Sequence, residues 1–224
     1  MNITKSKKNY FEVERAGINT TFQDNGRENL NHIGIPVSGA MDKRNYILAN
    51  ALLNKNLNDP VIEFAYQGPL LKYKGDKIYI VITGDIKFQI VRDDGYKIIG
   101  QPYQVYCIEN NYKIDLQSTN KSVYGYISIS ENFILKKFWG SFSINTKAKI
   151  GSNNGEKITN KQKIIIEHKN RNITETSLKY TNSKIEYIRA IKSTNFNFFS
   201  DKSKKTFFHK EFKVTKLSDR MGMR

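Results

Sequence analysis

Gly17–Asp42 reads GINTTFQDNGRENLNHIGIPVSGAMD, and its texture differs from the rest of the chain. Elsewhere Lys, Asn and Ile recur almost uniformly. Here Thr20, Thr21, Gln23, Asp24, Arg27, His32, Ser38 and Asp42 stand among the glycines at 17, 26, 34 and 39. Glycine permits positive φ and lets a ligand approach the main chain, and loops on a rigid scaffold carry much of protein function. Each polar residue has a matching chemistry. Arg27 suits a carboxylate or phosphate held through paired N–H donors. Asp24 and Asp42 suit acid–base work or ligand orientation. Thr21 and Gln23 can hydrogen-bond an amide, and the Ser38-Gly39-Ala40 backbone can offer N–H groups to an oxyanion. A structural reading stands beside this one. Asp42 would cap a helix, Asp24-Asn25-Gly26 would form a turn, and Arg27 would pair with an internal acid such as Glu63. The residues alone leave both open.

Outward from this loop the pattern becomes regular. Upstream, FEVERA (Phe11–Ala16) alternates apolar and charged residues with the period of a half-buried strand. Downstream, Asp42 sits at an N-cap ahead of KRNYILANALL, where Tyr46, Ile47, Leu48, Ala51 and Leu52 mark an apolar helical face. Asn54–Pro60 reads as the helix exit. From Val61 the β-branched and aromatic runs VIEFAY, LLKYK, KIYIVIT, IKFQIVR, QVYCIE, YKIDLQ and VYGYISIS predict strand after strand. Asp93-Asp94-Gly95 signals a hairpin, and Asn110-Asn111 a further turn. Many short strands with one early helix predict a mainly β barrel or sandwich. Trp139, the only tryptophan, is expected to anchor packing. Ser141 and Ser143 in GSFS lack the G-x-S-x-G elbow of a nucleophile. GSNNGEK (Gly151–Lys157) departs from Walker A spacing and is read as a turn. KQKIIIEHK predicts another strand and RNITETSLKYTNS a polar connector. A strand at IEYIRAIK and a Ser200-capped helix in SDKSKKTFFHKEF follow.

The bulk properties narrow the function classes. The 224 residues suit one sizeable domain or one and part of another. The hydrophobic share of 38% is enough for a core. No apolar run reaches the ~18 residues of a membrane span, and the N-terminus lacks the apolar stretch of a secretory signal, so a soluble, cytoplasmic protein is expected. Cys107 stands alone and reads as a buried thiol in a strand. His32, His168 and His209 show no paired spacing, so no metal site is expected. The formal charge of +16 invites a nucleic-acid reading. The lysines are spread along the chain rather than gathered in a stripe, and no recognition motif accompanies them, so no specific nucleic-acid partner is expected.

TTFQDNGR, then HIGIPVSGAMD and a helix containing LANALL, resembles the opening of the biotin-dependent carboxyltransferase family. That family includes the C subunit of 5-oxoprolinase, the second subunit of allophanate hydrolase and the carboxyltransferase region of urea carboxylase. The resemblance continues through VIEFAYQGPLLKY, VITGDIKF, GYISIS and SDRMGMR (Ser218–Arg224), from about Phe11 to the last residue. It implies a cyclophilin-like β-barrel over residues 1–184. Residues 185–224 would then begin a second, incomplete barrel, because relatives continue beyond the SDRMG motif. It also implies a subunit of ATP-dependent 5-oxoprolinase working with companion subunits A and B. ATP, with Mg, would be co-substrate, and no cofactor would be tightly bound. Two alternatives accompany this: a urea carboxylase or allophanate hydrolase subunit, the one reading that involves biotin, and a non-catalytic module that pairs with a kinase-inhibitor-like partner. The expected site residues are Asp24, Arg27 and Asp42 for catalysis, with Thr21, Gln23, Ser38, Gly39 and Ala40 for a small-molecule substrate. Departures from the family pattern lie at Ser130-Glu131-Asn132-Phe133, in place of A-G-G-I, and at Ser193-Thr194-Asn195, in place of a P-G-P-Q turn.

Overall fold

The structure is a computed structural model that describes residues 9–169, 171, 173–179 and 189–213. The chain divides into two compact units, Met1–Tyr180 and Thr181–Arg224. In the first, the alternating runs form strands β1 (Asn9–Arg15), β2 (Thr21–Gln23), β3 (Val61–Ala65), β4 (Leu70–Lys74), β5 (Ile78–Thr83) and β6 (Ile86–Val91). They continue as β7 (Lys97–Ile99), β8 (Val105–Ile108), β9 (Lys113–Thr119), β10 (Tyr124–Ile129), β11 (Asn132–Phe133) and β12 (Lys163–Glu167). Helix α1 (Lys43–Ala51) lies between β2 and β3. The fold is mainly β with one early helix, as expected, and its wall consists of two antiparallel sheets. One has the order β11-β12-β1-β4-β9-β6-β7 and the other β2-β3-β10-β5-β8.

Period-two alternation determines what each sheet buries. Phe11, Val13, Leu71, Tyr73, Phe88, Ile114 and Leu116 of the first sheet share one core with Phe22, Ile62, Phe64, Ile80, Ile82 and Ile127 of the second. Each such side chain contributes about 1.5–3 kcal/mol relative to exposure. Asp93-Asp94-Gly95 turns the β6–β7 hairpin, with Gly95 at φ +86° donating to the Arg92 carbonyl. The Asn110-Asn111 turn closes no hairpin: β8 leaves it to pair with β5, while β9 joins β4 and β6.

The opposite face of the second sheet is mixed, with Val61, Val81 and Val105 set among polar residues. Its cross-strand register places Thr21, Glu63, Tyr126 and Thr83 in one row over β2, β3, β10 and β5. Helix α1 covers this face, and that reverses part of the expected helical pattern. Asn45, Tyr46, Ala49 and Asn50 are buried, whereas Ile47 and Ala51 are exposed. The reason is complementarity. The Asn45 carbonyl accepts from Thr83 Oγ1 at 2.8 Å, its Oδ1 from the Tyr103 hydroxyl at 2.8 Å, and Asn50 Oδ1 from Ser128 Oγ at 2.7 Å. The polar positions of this face select polar helix residues opposite them, because a buried polar group without a partner costs about 1–3 kcal/mol.

Gly151–Lys157 is a turn, containing a single 3-10 turn at Asn153–Gly155. In the second unit, α2 (Asp201–His209) follows a 3-10 turn at Phe196–Phe198, and Ser200 caps it by accepting from the Ser203 amide. Residues 185–188 of the strand expected at IEYIRAIK lie outside the described residues, and 189–192 have no regular structure. The SDRMGMR segment, with Asp219 and Arg220, also lies outside them.

Candidate functional site

Three segments meet at the N-terminal end of α1: the end of β2 with the loop that follows it, the residues leading into the helix, and the hairpin Phe138–Ser143. Asp24 joins them. Its Oδ1 accepts from Gly26 N at 2.8 Å, Ser141 Oγ at 2.6 Å and Ser143 Oγ at 2.5 Å, and its Oδ2 from Phe142 N at 2.7 Å. The Asp24 amide donates to Ser143 Oγ, and its carbonyl accepts from Ala40 N at 2.9 Å. The carboxylate is thus saturated with donors and acts as a clamp.

Arg27 is only 2% exposed. Nε donates to the Phe138 carbonyl at 3.2 Å and Nη2 to the Ser143 carbonyl at 2.5 Å. Its own amide bonds the Val37 carbonyl, closing the loop at residues 27–37. Burial lowers the guanidinium pKa and the Asp24 charge works against that. Arg27 Nη1 is buried and has no hydrogen-bond partner among the described residues. Gln23 Nε2 donates to Thr21 Oγ1 at 2.9 Å and to the Ile144 carbonyl at 3.0 Å. A carbonyl only accepts, so the amide orientation is fixed, and the atom left buried without a partner is the acceptor Oε1. Tyr46 Oη is likewise buried and unpartnered. Burial, then the charges of Asp24 and Asp59, push its pKa up, so it remains a hydroxyl donor.

The segment leading into the helix is held from below. Glu63 Oε2 accepts from Met41 N at 2.8 Å and from the Tyr126 hydroxyl at 2.9 Å, and that hydroxyl accepts from Asp42 N at 2.7 Å. Ser38 and Gly39 are both left-handed, at φ +60° and +86°. A Cβ at Gly39 would come within 2.8 Å of the Asn25 carbonyl oxygen, so this crossing of two loop strands requires glycine. Ser38 Oγ is buried without a partner. Asp42 Oδ1 accepts from the Asn45 amide at 3.0 Å and Oδ2 from Asn45 Nδ2 at 2.6 Å, so both oxygens serve the helix cap.

The structure therefore gathers Gln23, Asp24, Arg27, Ser38, Gly39 and Ala40 around one brace and directs Asp42 into a cap. Thr21 supports Gln23. Sequence reasoning set aside Ser141 and Ser143; their spacing of two, which puts both hydroxyls on one side of an extended segment, was the available signal. Tyr46 and Tyr126 were read only as apolar. Buried polar groups are nearly always hydrogen-bonded. Four that have no partner among the described residues lie within this loop and its support, namely Arg27 Nη1, Tyr46 Oη, Ser38 Oγ and Gln23 Oε1, and they supply three donors and one acceptor. Among the described residues no group of three or more His, Cys, Asp or Glu could hold a metal ion. No helix there is long and apolar enough to cross a membrane.

The two-sheet body, with a braced polar loop and one helix over a sheet face, defines a class of small β domains. Within that class, the model for the carboxyltransferase domain, subdomain A and B, matches residues 33–224. The chain belongs to the carboxyltransferase-domain family. It is 28% identical over 205 residues to the C subunit of 5-oxoprolinase from Haemophilus influenzae, covering 91% of this chain and 64% of that protein. Identity to Saccharomyces cerevisiae urea amidolyase is 24%, over 95% of this chain and 12% of the relative. The K. lactis urea amidolyase structure superposes on all of this chain and on 14% of its own, with a TM-score of 0.79 at 20% identity. The chain thus spans about two thirds of the length of the first of these relatives and a small part of the others.

Proposed function

We propose that this chain is the C-type subunit of an ATP-dependent 5-oxoprolinase, hydrolysing the lactam of 5-oxoproline to glutamate together with companion subunits A and B. The observation that carries the reading is the unpartnered set at Gln23, Arg27, Ser38 and Tyr46. A lactam carrying a carboxylate presents oxygen acceptors for Arg27 Nη1, Tyr46 Oη and Ser38 Oγ, and one N–H for Gln23 Oε1. Asp24 is the positioning residue that aims Arg27, while Gly39, Ala40 and Asp42 fix the loop. The similarity to proteins named as the C subunit of 5-oxoprolinase supports the same reading. A lactam is a poor electrophile, and phosphorylating its oxygen creates a leaving group; ATP supplies that chemistry to the complex.

The loop does not fit a triphosphate. Its single guanidinium already donates to two main-chain carbonyls, and the turn at Gly151–Lys157 is no phosphate loop. The nucleotide is therefore assigned to the companion subunits, and no step is placed on it here. Residues 1–184 form the barrel domain of this reading, and 185–224 begin a second barrel. In a second reading the chain serves carboxyl transfer from carboxybiotin to urea. It is favoured by the likeness to urea amidolyase along nearly the whole chain, and by an acceptor-and-donor set that a ureido group also satisfies.

The test is an assay of 5-oxoproline-dependent ATP hydrolysis by the chain alone and with subunits A and B. Turnover is expected only in the mixture, and Arg27→Lys should reduce it. Turnover by the isolated chain would remove the dependence on companions. Urea-dependent consumption of carboxybiotin would select the second reading.

A further inference from the structure

The hairpin Phe138–Ser141 has an unusual tip. Phe138 N donates to the Ser141 carbonyl at 2.8 Å and Ser141 N returns to the Phe138 carbonyl at 3.3 Å. Trp139 and Gly140 between them stand at φ +48° and +78°, the left-handed pair that a two-residue type I′ turn requires. Asn, Asp or Gly normally fills the first of these positions, and a bulky side chain there is strained. The only tryptophan of the chain occupies it, 50% exposed, with Phe138 41% exposed and T-shaped against it at 4.6 Å. It is not the packing anchor that the sequence suggested. Exposed Lys136 and Lys137 immediately precede the pair.

The mount beneath this tip is the brace already described. Arg27 holds the Phe138 and Ser143 carbonyls, and Asp24 holds Ser141, Phe142 and Ser143. Two aromatic rings are thus held out from the surface on a rigid, buried support, with cations beside them. Preorganisation of this kind lowers the ordering cost of binding, and exposed Trp on a fixed backbone is the residue type that most often dominates protein interfaces. We infer that the Phe138-Trp139 tip is a docking knuckle that inserts into an apolar, carboxylate-rimmed pocket of an acidic companion protein chain. The acidic character of the partner follows from Lys136 and Lys137 at the tip and from the formal charge of +16 on the chain as a whole. The inference rests on reading the chain as one subunit of a complex. Docking here would load the partner directly onto the Arg27 brace, coupling its arrival to the position of the loop that carries Asp24 and Arg27.

The test uses calorimetric titration of the full chain with purified companion subunits A and B, comparing wild type, Trp139→Gly and Lys136→Glu/Lys137→Glu. Glycine suits the left-handed position, so Trp139→Gly should melt no lower than wild type. It should weaken binding by about thirtyfold, the effect of removing an interface hot spot. The lysine pair should weaken association less and flatten its salt dependence. If wild type and Trp139→Gly bind equally, the knuckle fails while the subunit reading stands. If wild type binds neither subunit, both fall. The inference is also overturned if sedimentation shows wild type alone self-associating through Trp139. Retention of wild type but not Trp139→Gly on phosphatidylserine vesicles, with equal subunit binding, would assign the tip to a membrane instead.

Discussion

Lys55 lies outside the loop, with its side chain 1% exposed and its ammonium 3.9 Å from Asp59 Oδ2. That separation is too long for a hydrogen bond, and its one bond among the described residues is to the Glu131 carbonyl at 3.3 Å. Desolvation therefore outweighs the attraction of Asp59 and Glu131, and with Arg171 repelling it the pKa falls from 10.5 to about 8. The native state holds this proton less tightly than the unfolded chain. Stability should consequently rise as pH passes through about 8 towards 10.5. The full burden below that range is roughly 3 kcal/mol. Lys55→Met should raise the melting temperature at neutral pH and flatten the rise; urea melts of both proteins across this range measure it. An unchanged pH slope in the variant would place the effect elsewhere. Asp42 allows a second comparison. Asn caps a helix about as well as Asp, whereas Ala costs about 1 kcal/mol. Asp42→Asn should melt like wild type and Asp42→Ala earlier, and loss of binding in Asp42→Asn without loss of stability would give the carboxylate a role beyond the cap. Both possibilities at Asp42 were legible in the sequence. The saturation of Asp24 was not, because its donors come from residues more than a hundred positions away.

Elements were read well where one period decides them. β1, β3 to β6, β8 to β10 and β12 follow from alternating β-branched and aromatic runs, because one face of each strand meets the shared core whatever the partner. Helix α1 was located by its cap, yet its buried face could not be read from hydrophobicity, since the surface it covers carries Thr83, Tyr126 and Ser128. Which residues of a helix turn inward depends on the sheet, and that information is held in other parts of the chain. Asn50 is the sharpest case: Nδ2 donates to the Asp59 carbonyl at 2.8 Å and Oδ1 accepts from Ser128 Oγ at 2.7 Å. Asn50→Ala should cost about 2–3 kcal/mol by leaving these buried groups unpaired. The measurement is a fall in urea midpoint at unchanged slope. Asn50→Ala combined with Ser128→Ala should recover part of the loss, since two apolar replacements leave fewer orphans. Additive losses would show that Asn50 acts through the Asp59 carbonyl alone.

For the whole molecule, the contrast is between a first unit that buries two sheets and a second in which none of the described residues is buried. In Thr181–Arg224 no residue of α2 is buried, and Ile191, Phe198 and Phe212 are 95%, 87% and 70% exposed. By themselves, the described helix and 3-10 turn do not remove enough apolar surface from water to offset the chain entropy they cost, about 1–2 kcal/mol per ordered residue. Backbone amides in 189–213 should therefore exchange by low-energy local opening, while those of β3, β5 and β10 exchange only near the global unfolding limit. Hydrogen exchange of the isolated chain followed by mass spectrometry reads both regions in one experiment. The same experiment on a complex with companion subunits separates two origins for the exposed aromatic surface. Protection gained at 196–212 on assembly would make it an interface, whereas protection gained only near Phe138 and Trp139 would confine docking to the hairpin. If 189–213 is already as protected as the sheet strands in the isolated chain, the second unit is stable by itself, and the entropy argument fails for this protein.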